Sequence, residues 1–559
     1  MKKIRFIYAL IMSAVLLGSC EYLDYSEADL LDKEDVYGEF SRMKNVLTQI
    51  YTRLPDGFMD VSGAMRSSGT DEAIHVNSLS AVRTFNDGSW NANKPIDNQW
   101  VSMYNGIREV NSFLMEIEGE TWEELQYDPN YHFMMEEYEL YAYEARLLRA
   151  FFYFELYKRY GGVPLLGDEM LTEENANEVA HASAQDVIDY IVSECDAVAG
   201  VLPTTYIGIG GGGNDQNNSG GDQTGKTTRG FALALKARTL LYAASPLHNT
   251  DNSQQKWIDA ATAANAVIGL GVYSLEGDYA NVVNKPVSTE LIFETRSAES
   301  RNFEIANYSV GFENGQTGTC PTQNLVDSYE MVATGLPISD PASGYDAANP
   351  YAGRDPRLAL TVLRNGSTWK GETIEVFYGG RDAAPIPFAT LTGYYLKKYL
   401  VESVNIEDGK ANTKRHVWVL FRYAETLLNY AEAMNEAYGP DDAQGLSMTA
   451  TDAVNLVRGR AGMPLFNAGM SKDAFRSKLQ NERRVELAFE DHRFWDVRRW
   501  KTGSETNIKG MTVEQDGSGG YTYTPGTVIN RVWDDKMCLY PIPQSEIFKN
   551  SNLIQNTGW

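Results

Sequence analysis

The densest set of side chains able to do chemistry lies at residues 480–500, QNERRVELAFEDHRFWDVRRW. Arg483, Arg484, Arg498 and Arg499 could together capture a phosphate or a carboxylate, because a guanidinium fork matches a planar oxyanion in bidentate geometry. Acids compete for them at every turn, since Glu482, Glu486, Glu490 and Arg493 follow one another at helical spacing. Val485, Ala488 and Phe489 fall on a second, apolar face, so the pattern predicts one helix. The arginines are then neutralised locally and the expected role is a structural brace. Glu486 and Arg493 are the residues expected to meet neighbouring helices.

Residues 220–227, GGDQTGKT, satisfy the phosphate-loop pattern GxxxxGK[ST] in full. Such a loop needs a buried strand leading into it, so that backbone amides and a helix start converge on the phosphates. What precedes it is GIGGGGNDQNNSG, with no apolar run, and Lys226 to Thr228 read instead as the start of the next helix. Asp215, Asn217 and Ser219 have the look of a calcium loop, but position twelve is Lys226 where a bidentate Glu is required. The six histidines are scattered without HExxH, and His416 and His492 are expected to be structural. The neighbouring acids Asp71-Glu72 and Asp534-Asp535 could suggest a glycosidase pair, which needs carboxyls about 5 to 9 Å apart across a cleft. No GxSxG elbow occurs, and acids are abundant enough here to be adjacent by chance. Cys195, Cys320 and Cys538 are widely spaced with no CxxC, so neither zinc nor a disulfide framework is expected, and at least one thiol should be free.

The 559 residues carry a formal charge of −26, and loss of Lys2, Lys3 and Arg5 with a leader would make the chain more acidic still. Nucleic acid is thereby excluded as an expected partner. With 33 Tyr and 10 Trp, the chain has more rings than a core needs, leaving some for a surface. Residues 1–20 pair a basic start with an apolar run too short for a membrane span, then Leu17-Gly18-Ser19-Cys20. The run has the shape of a secretory signal, and the small residues before Cys20 resemble a bacterial lipobox. Cleavage before Cys20 and diacylglycerol on its thiol would anchor the chain permanently, at about 0.8 kcal/mol per buried methylene.

Helical periodicity is expected over residues 35–54, 97–117, 144–160, 228–245 and 417–437. The last places Leu420, Ala424, Leu427, Leu428, Ala431 and Met434 on one face. Alternation of small and large residues suggests tetratricopeptide-like stacking, although no regular 34-residue period is present. Residues 276–414 differ: short strand-like runs at 290–295 and 373–378 sit among turns. The expected fold is mainly α, a scaffold of helical pairs with a loop-rich insert containing a few short strands. The expected organisation is a signal peptide at 1–19, a tether at 20–34 and one body at 35–559. Within it the scaffold covers 35–275 and 415–505, the insert 276–414, and a C-terminal segment 506–559.

ERRVELAFEDHRFWDVRRW is similar to the C-terminal signature of the SusD/RagB family, outer-membrane lipoproteins of Gram-negative bacteria that bind glycans or other nutrients for import. GGVPL after the 144–160 helix, RDPRL at 354–358, YPIPQSEI at 540–547 and the terminal NLIQNTGW resemble family motifs too. Together with the lipobox these matches run the length of the chain. The resemblance implies a SusD-like helical bundle, neither catalysis nor an obligatory cofactor, and a place at the cell surface. It implies capture of oligosaccharides and their delivery to a SusC-like TonB-dependent transporter. Oligopeptide capture, as in RagB-like members, is the alternative within the family, and a glycoside hydrolase is the alternative outside it.

A sugar presents apolar C–H faces and hydroxyl rims, so its binder needs exposed rings among amides, acids and arginines. Two loop regions supply that mixture. The first, 71–93, holds Asp71, Arg83, Trp90 and Asn93, and Trp90 is expected to be a displayed stacking ring because no periodicity explains it as core. Its position before the 97–117 helix also resembles the family region that supplies a stacking aromatic. The second, 300–380, holds Tyr308, Tyr345, Trp369 and Tyr378 among turns.

Overall fold

Small residues set the helix spacing. In the computed structural model, which describes residues 33–172, 175, 177–207, 209, 225–285, 287–503 and 505–559, the longer helices are α1 (Phe40–Tyr51), α2 (Trp100–Ile117), α3 (Tyr131–Tyr160), α4 (Ala184–Ala199), α5 (Arg229–Ala244), α6 (Gln254–Gly269), α7 (Tyr423–Tyr438), α8 (Ala450–Arg460), α9 (Lys472–Glu486) and α10 (His492–Arg499). The leader, Cys20, the calcium-like Asp215, Asn217 and Ser219, and the phosphate-loop pattern up to Thr224 lie outside the described residues.

From α2 to α7 each helix packs on the next, and α7 also carries α8 and α9. Gly106 on α2 faces Phe152 on α3, where an added Cβ would meet the ring at 2.8 Å. Alanines do the same work elsewhere: Ala237, Ala260, Ala261 and Ala264 are buried against Leu427, Leu428 and Ala431, and close approach multiplies dispersion contacts. Ends are set by side chains. Capping boxes at Ser183 and Thr449 start α4 and α8, and Thr228 accepts from Phe231 N–H to start α5, as expected of the Lys226 to Thr228 stretch. The architecture is the expected mainly helical scaffold with a few short strands.

Three expected elements take another form. Residues 417–437 are strand β4 (Val417–Arg422) followed by α7, because VWVLFR is β-branched and aromatic and pairs antiparallel with β2 (Leu291–Arg296). Leu420 therefore leaves the helical face, whereas Leu427, Leu428, Ala431 and Met434 stay buried on it. Residues 480–500 form two helices, since Phe489 and Asp491 adopt φ of 61° and 67° and turn the chain between α9 and α10. Residues 71–93, expected to be a loop region, contain short elements with buried residues, including β1 (Ala73–His75), which pairs antiparallel with β3 (Thr319–Pro321). Strands β5 (Asn507–Gln515) and β6 (Tyr521–Asn530) form a hairpin.

The break after α9 aims successive acids in different directions. Glu486 accepts from Arg422 at 2.7 Å, Arg357 at 2.8 Å and Arg460. Glu490 accepts from Arg422 at 2.6 Å and Lys398 at 2.6 Å. Arg493 instead reaches back to Asp71, at 3.0 and 2.9 Å. Burial by itself raises the Glu486 carboxyl, but Arg460, Arg422 and Arg357 outweigh it and hold the group well below the usual range. The charged segment is the expected brace. Glu486 is buried and Arg493 half-buried, and both are ion-pair members with different partners.

Candidate functional site

The β1–β3 ladder joins the two regions singled out in the sequence. Thr322 N–H donates to Glu72 O at 2.9 Å, and Val76 N–H to Gly318 O at 2.8 Å, so the end of one loop is stitched to the other. Gly318 permits this approach, as a Cβ there would lie 2.4 Å from Ala306 O. Where the ladder ends, a groove of about 470 Å³ opens, lined by His75, Asn77, Ser80, Gln316 and Phe388 among others. Phe388 is 60 % exposed, on a backbone at φ 62°. A ring held out at such a strained position is unusual for packing and suits stacking.

Hydrogen-bonding groups surround that ring. His75 Nδ1 accepts from Asn77 N–H at 3.2 Å, so in the neutral imidazole the proton resides on Nε2, a donor. Burial lowers the His75 pKa from its ordinary value, which keeps the ring neutral at neutral pH. Asn77 is exposed, with its side-chain oxygen engaged by Leu79 N–H at 2.9 Å and its amide nitrogen left as a donor. Gln316 is exposed as well. Ring face, amides and imidazole together can clasp a neutral hydroxyl-rich molecule.

The eight candidate residues lie elsewhere. Trp90 is only 2 % exposed, caged by Trp559, Tyr540 and Phe85, and is corrected from displayed ring to core. Trp369 and Tyr308 are likewise buried, edge to face at 5.8 Å, with the Tyr308 hydroxyl donating to Val401 O at 2.6 Å. Asp71 is buried between Arg493 and Arg484, which outweigh the effect of its burial and hold its carboxyl well below the usual range. Arg83 does not line the groove but supports it, donating to His75 O at 3.0 Å. Tyr345 is half-buried near Arg354, Asn93 is exposed in the 91–94 turn, and Tyr378 is 76 % exposed without lining the groove.

Comparison with known proteins decides the family. The model described as "SusD family" matches residues 289–559, and the one described as "Starch-binding associating with outer membrane" matches 21–208. The chain belongs to the SusD/RagB family. Among its relatives is a SusD-like protein of Formosa agariphila, P38, 26% identical over 67% of this chain and 69% of that one. A crystal structure of a SusD-like protein from Bacteroides fragilis superposes with a TM-score of 0.76 at 28% identity, covering 94% of this chain and 98% of that one. A second from the same organism, a SusD-like carbohydrate binding protein, gives 0.74 at 26% identity over 93% and 100%.

The SusD-family match in the C-terminal half includes Phe388, which the sequence reading missed. IPFATLTGYY lacks the Trp and Asp neighbours that drew attention to 71–93, and nothing in sequence signals a positive φ at a Phe. Within this SusD fold the arginines of 480–500 serve the scaffold: Arg483 pairs with Asp496 at 2.7 Å, Arg499 with Glu432 at 2.6 Å, Arg484 lies against Asp71, and Arg498 packs over Phe494. Of the neighbouring acids, Asp71 is held by its arginines and Asp534 caps the 535–538 turn. His416 and His492 are buried, the first 3.2 Å from Glu304. Cys195, Cys320 and Cys538 are free and buried.

Proposed function

We propose that this SusD-family chain is a glycan-binding protein that holds oligosaccharides in the groove beside Phe388. The observation that carries the reading is the displayed phenyl ring edged by His75, Asn77 and Gln316, a stacking face with donors on its rim. Membership in the family supports it, as does the likeness to a chain described as carbohydrate binding. It is a binder without catalysis, anchored in the outer membrane through acylated Cys20 and facing the cell surface. From there it passes its ligand to a SusC-like TonB-dependent transporter. The description of the N-terminal family match, associating with the outer membrane, supports the location.

A glycan array identifies a ligand, and calorimetry then compares wild type with Phe388→Ala. Ala occupies the same left-handed backbone without added strain, so the fold is expected to persist. Loss of one stack should weaken binding about tenfold or more, ~1.4 kcal/mol. Wild-type affinity in the folded variant would remove the groove from consideration. Binding of oligopeptides instead of glycans would redirect the ligand class.

A further inference from the structure

A second, larger concavity lies apart from the groove lining. A cleft of about 1100 Å³ runs between α1, α3 and the end of β2, with Lys226 at one side. Three buried polar atoms around it lack hydrogen-bond partners: Glu144 Oε1, Glu294 Oε2 and Lys226 Nζ. Glu144 and Glu294 are 1 % and 3 % exposed. Each uses only its other oxygen, Glu144 accepting from Tyr51 OH at 2.6 Å and Glu294 from Arg296 at 2.7 Å. Lys226 stands 3.8 Å from Glu144 and 3.6 Å from Glu137, too far for a hydrogen bond, with its ammonium 4.7 Å from the Tyr206 ring. The Tyr51 hydroxyl, accepting from Thr227 N–H at 3.0 Å, locks this corner in place.

Leaving such atoms unsatisfied is destabilising, so their arrangement asks for a ligand that satisfies all three at once. A phosphate or carboxylate would satisfy Lys226 but face Glu144, Glu294 and Glu137. A metal cation would suit the carboxylates and be repelled by Lys226. A hydroxyl group donates to a carboxylate and accepts from an ammonium, so a polyol serves both. Burial raises the Glu144 and Glu294 carboxyls, with Lys226 and the hydroxyls of Tyr51 and Tyr206 offsetting part of it at Glu144 and Arg296 part of it at Glu294. Leu47, Leu54 and Met59 on the same wall offer apolar surface to the C–H faces of a ring. The volume lies just above the usual range for small-molecule sites, about 300–1,000 Å³.

The geometry points to a second binding site, in the cleft at Glu144, Glu294 and Lys226, for a neutral polyhydroxylated ligand such as one or more sugar residues. It is separate from the Phe388 groove and does not depend on that assignment.

The test uses the full chain in a detergent without a sugar headgroup. Glucose, galactose, mannose, xylose and their linear hexasaccharides, with inorganic phosphate as control, are titrated at millimolar concentrations into Phe388→Ala protein and into Phe388→Ala/Lys226→Met protein. The expected result is binding of at least one sugar by the first, weakened tenfold or more in the second, and no heat from phosphate. Glu294→Gln, which replaces an acceptor oxygen by a donor at constant shape, should weaken the same isotherm and serves if the Lys226 variant does not fold. No sugar bound by Phe388→Ala protein, equal affinity in the cleft variants, or phosphate bound in place of sugar would overturn the assignment. Failure of the groove reading is seen separately, in Lys226→Met protein with Phe388 intact.

Discussion

Trp90 sits among rings, with centroids at 4.6 Å to Trp559, 5.1 Å to Tyr540 and 5.2 Å to Phe85. Two of these neighbours come from the far C-terminal end of the chain, so no local pattern could have marked it as core. Trp90→Ala is expected to lower unfolding stability by about 3–5 kcal/mol, the cost of emptying a large buried ring site. Its effect on glycan affinity, measured on the fraction that remains folded, is expected to be small. Urea denaturation together with calorimetry checks both, and a variant of wild-type stability without glycan affinity would restore Trp90 as a stacking ring. Phe388 presents the opposite case, an aromatic in an inconspicuous run that only a positive φ and 60 % exposure make conspicuous.

At the scale of elements, the turn between α9 and α10 distributes charge. Had residues 480–500 continued as one helix, Glu486, Glu490 and Arg493 would have formed a single stripe. The left-handed residues Phe489 and Asp491 send Glu490 toward Arg422 and Lys398 and Arg493 toward Asp71 beside β1. Glu486→Ala strands three buried guanidiniums and Arg493→Ala leaves buried Asp71 with a weaker set of partners. Each is expected to cost ~3–5 kcal/mol, read as a lower denaturation midpoint. An unchanged midpoint in either would show that the charge is dispensable.

The same element has a pH signature. Because the folded-state pKa of Glu486 is depressed, its contribution is complete above the ordinary carboxylate value of about 4.5 and is lost as pH falls through the folded value. Stability of the wild type should therefore decline on the acid side, and Glu486→Gln should show a shallower decline from a lower starting point. Parallel acid limbs for the two proteins would exclude Glu486 as a source of the acid sensitivity.

At the scale of the whole molecule, no helix among the described residues is long and apolar enough to cross a membrane. The anchor proposed above is Cys20. Cys20→Ala is expected to give folded protein that leaves the detergent-extractable membrane fraction, since the acyl chains supply the binding energy. Persistence of that variant in the membrane fraction would count against acylation as the anchor. Delivery to a transporter predicts co-purification with a large barrel protein from solubilised outer membrane at native expression, and recovery of intact lipoprotein without any barrel would exclude it.

Periodicity and end signals are local, and so the helices over 100–117, 229–244 and 423–438 and their mainly α arrangement were legible in the sequence, as were the family motifs from GGVPL to NLIQNTGW. The structural role of the 480–500 charges was legible too, because acids and arginines at helical spacing must neutralise one another wherever the segment packs. Strand β4 was misread as helix because an apolar run carries no mark of the partner that makes it a strand, and its partner β2 lies more than a hundred residues away. The site was decided by tertiary structure for the same reason. Pairing of β1 with β3 brings 75–80 beside 316–318, and burial of Trp90 by the chain's end removes one ring from the surface while a left-handed turn leaves Phe388 on it. Exposure is a property of everything that packs around a residue, and most of what packs here is distant in sequence.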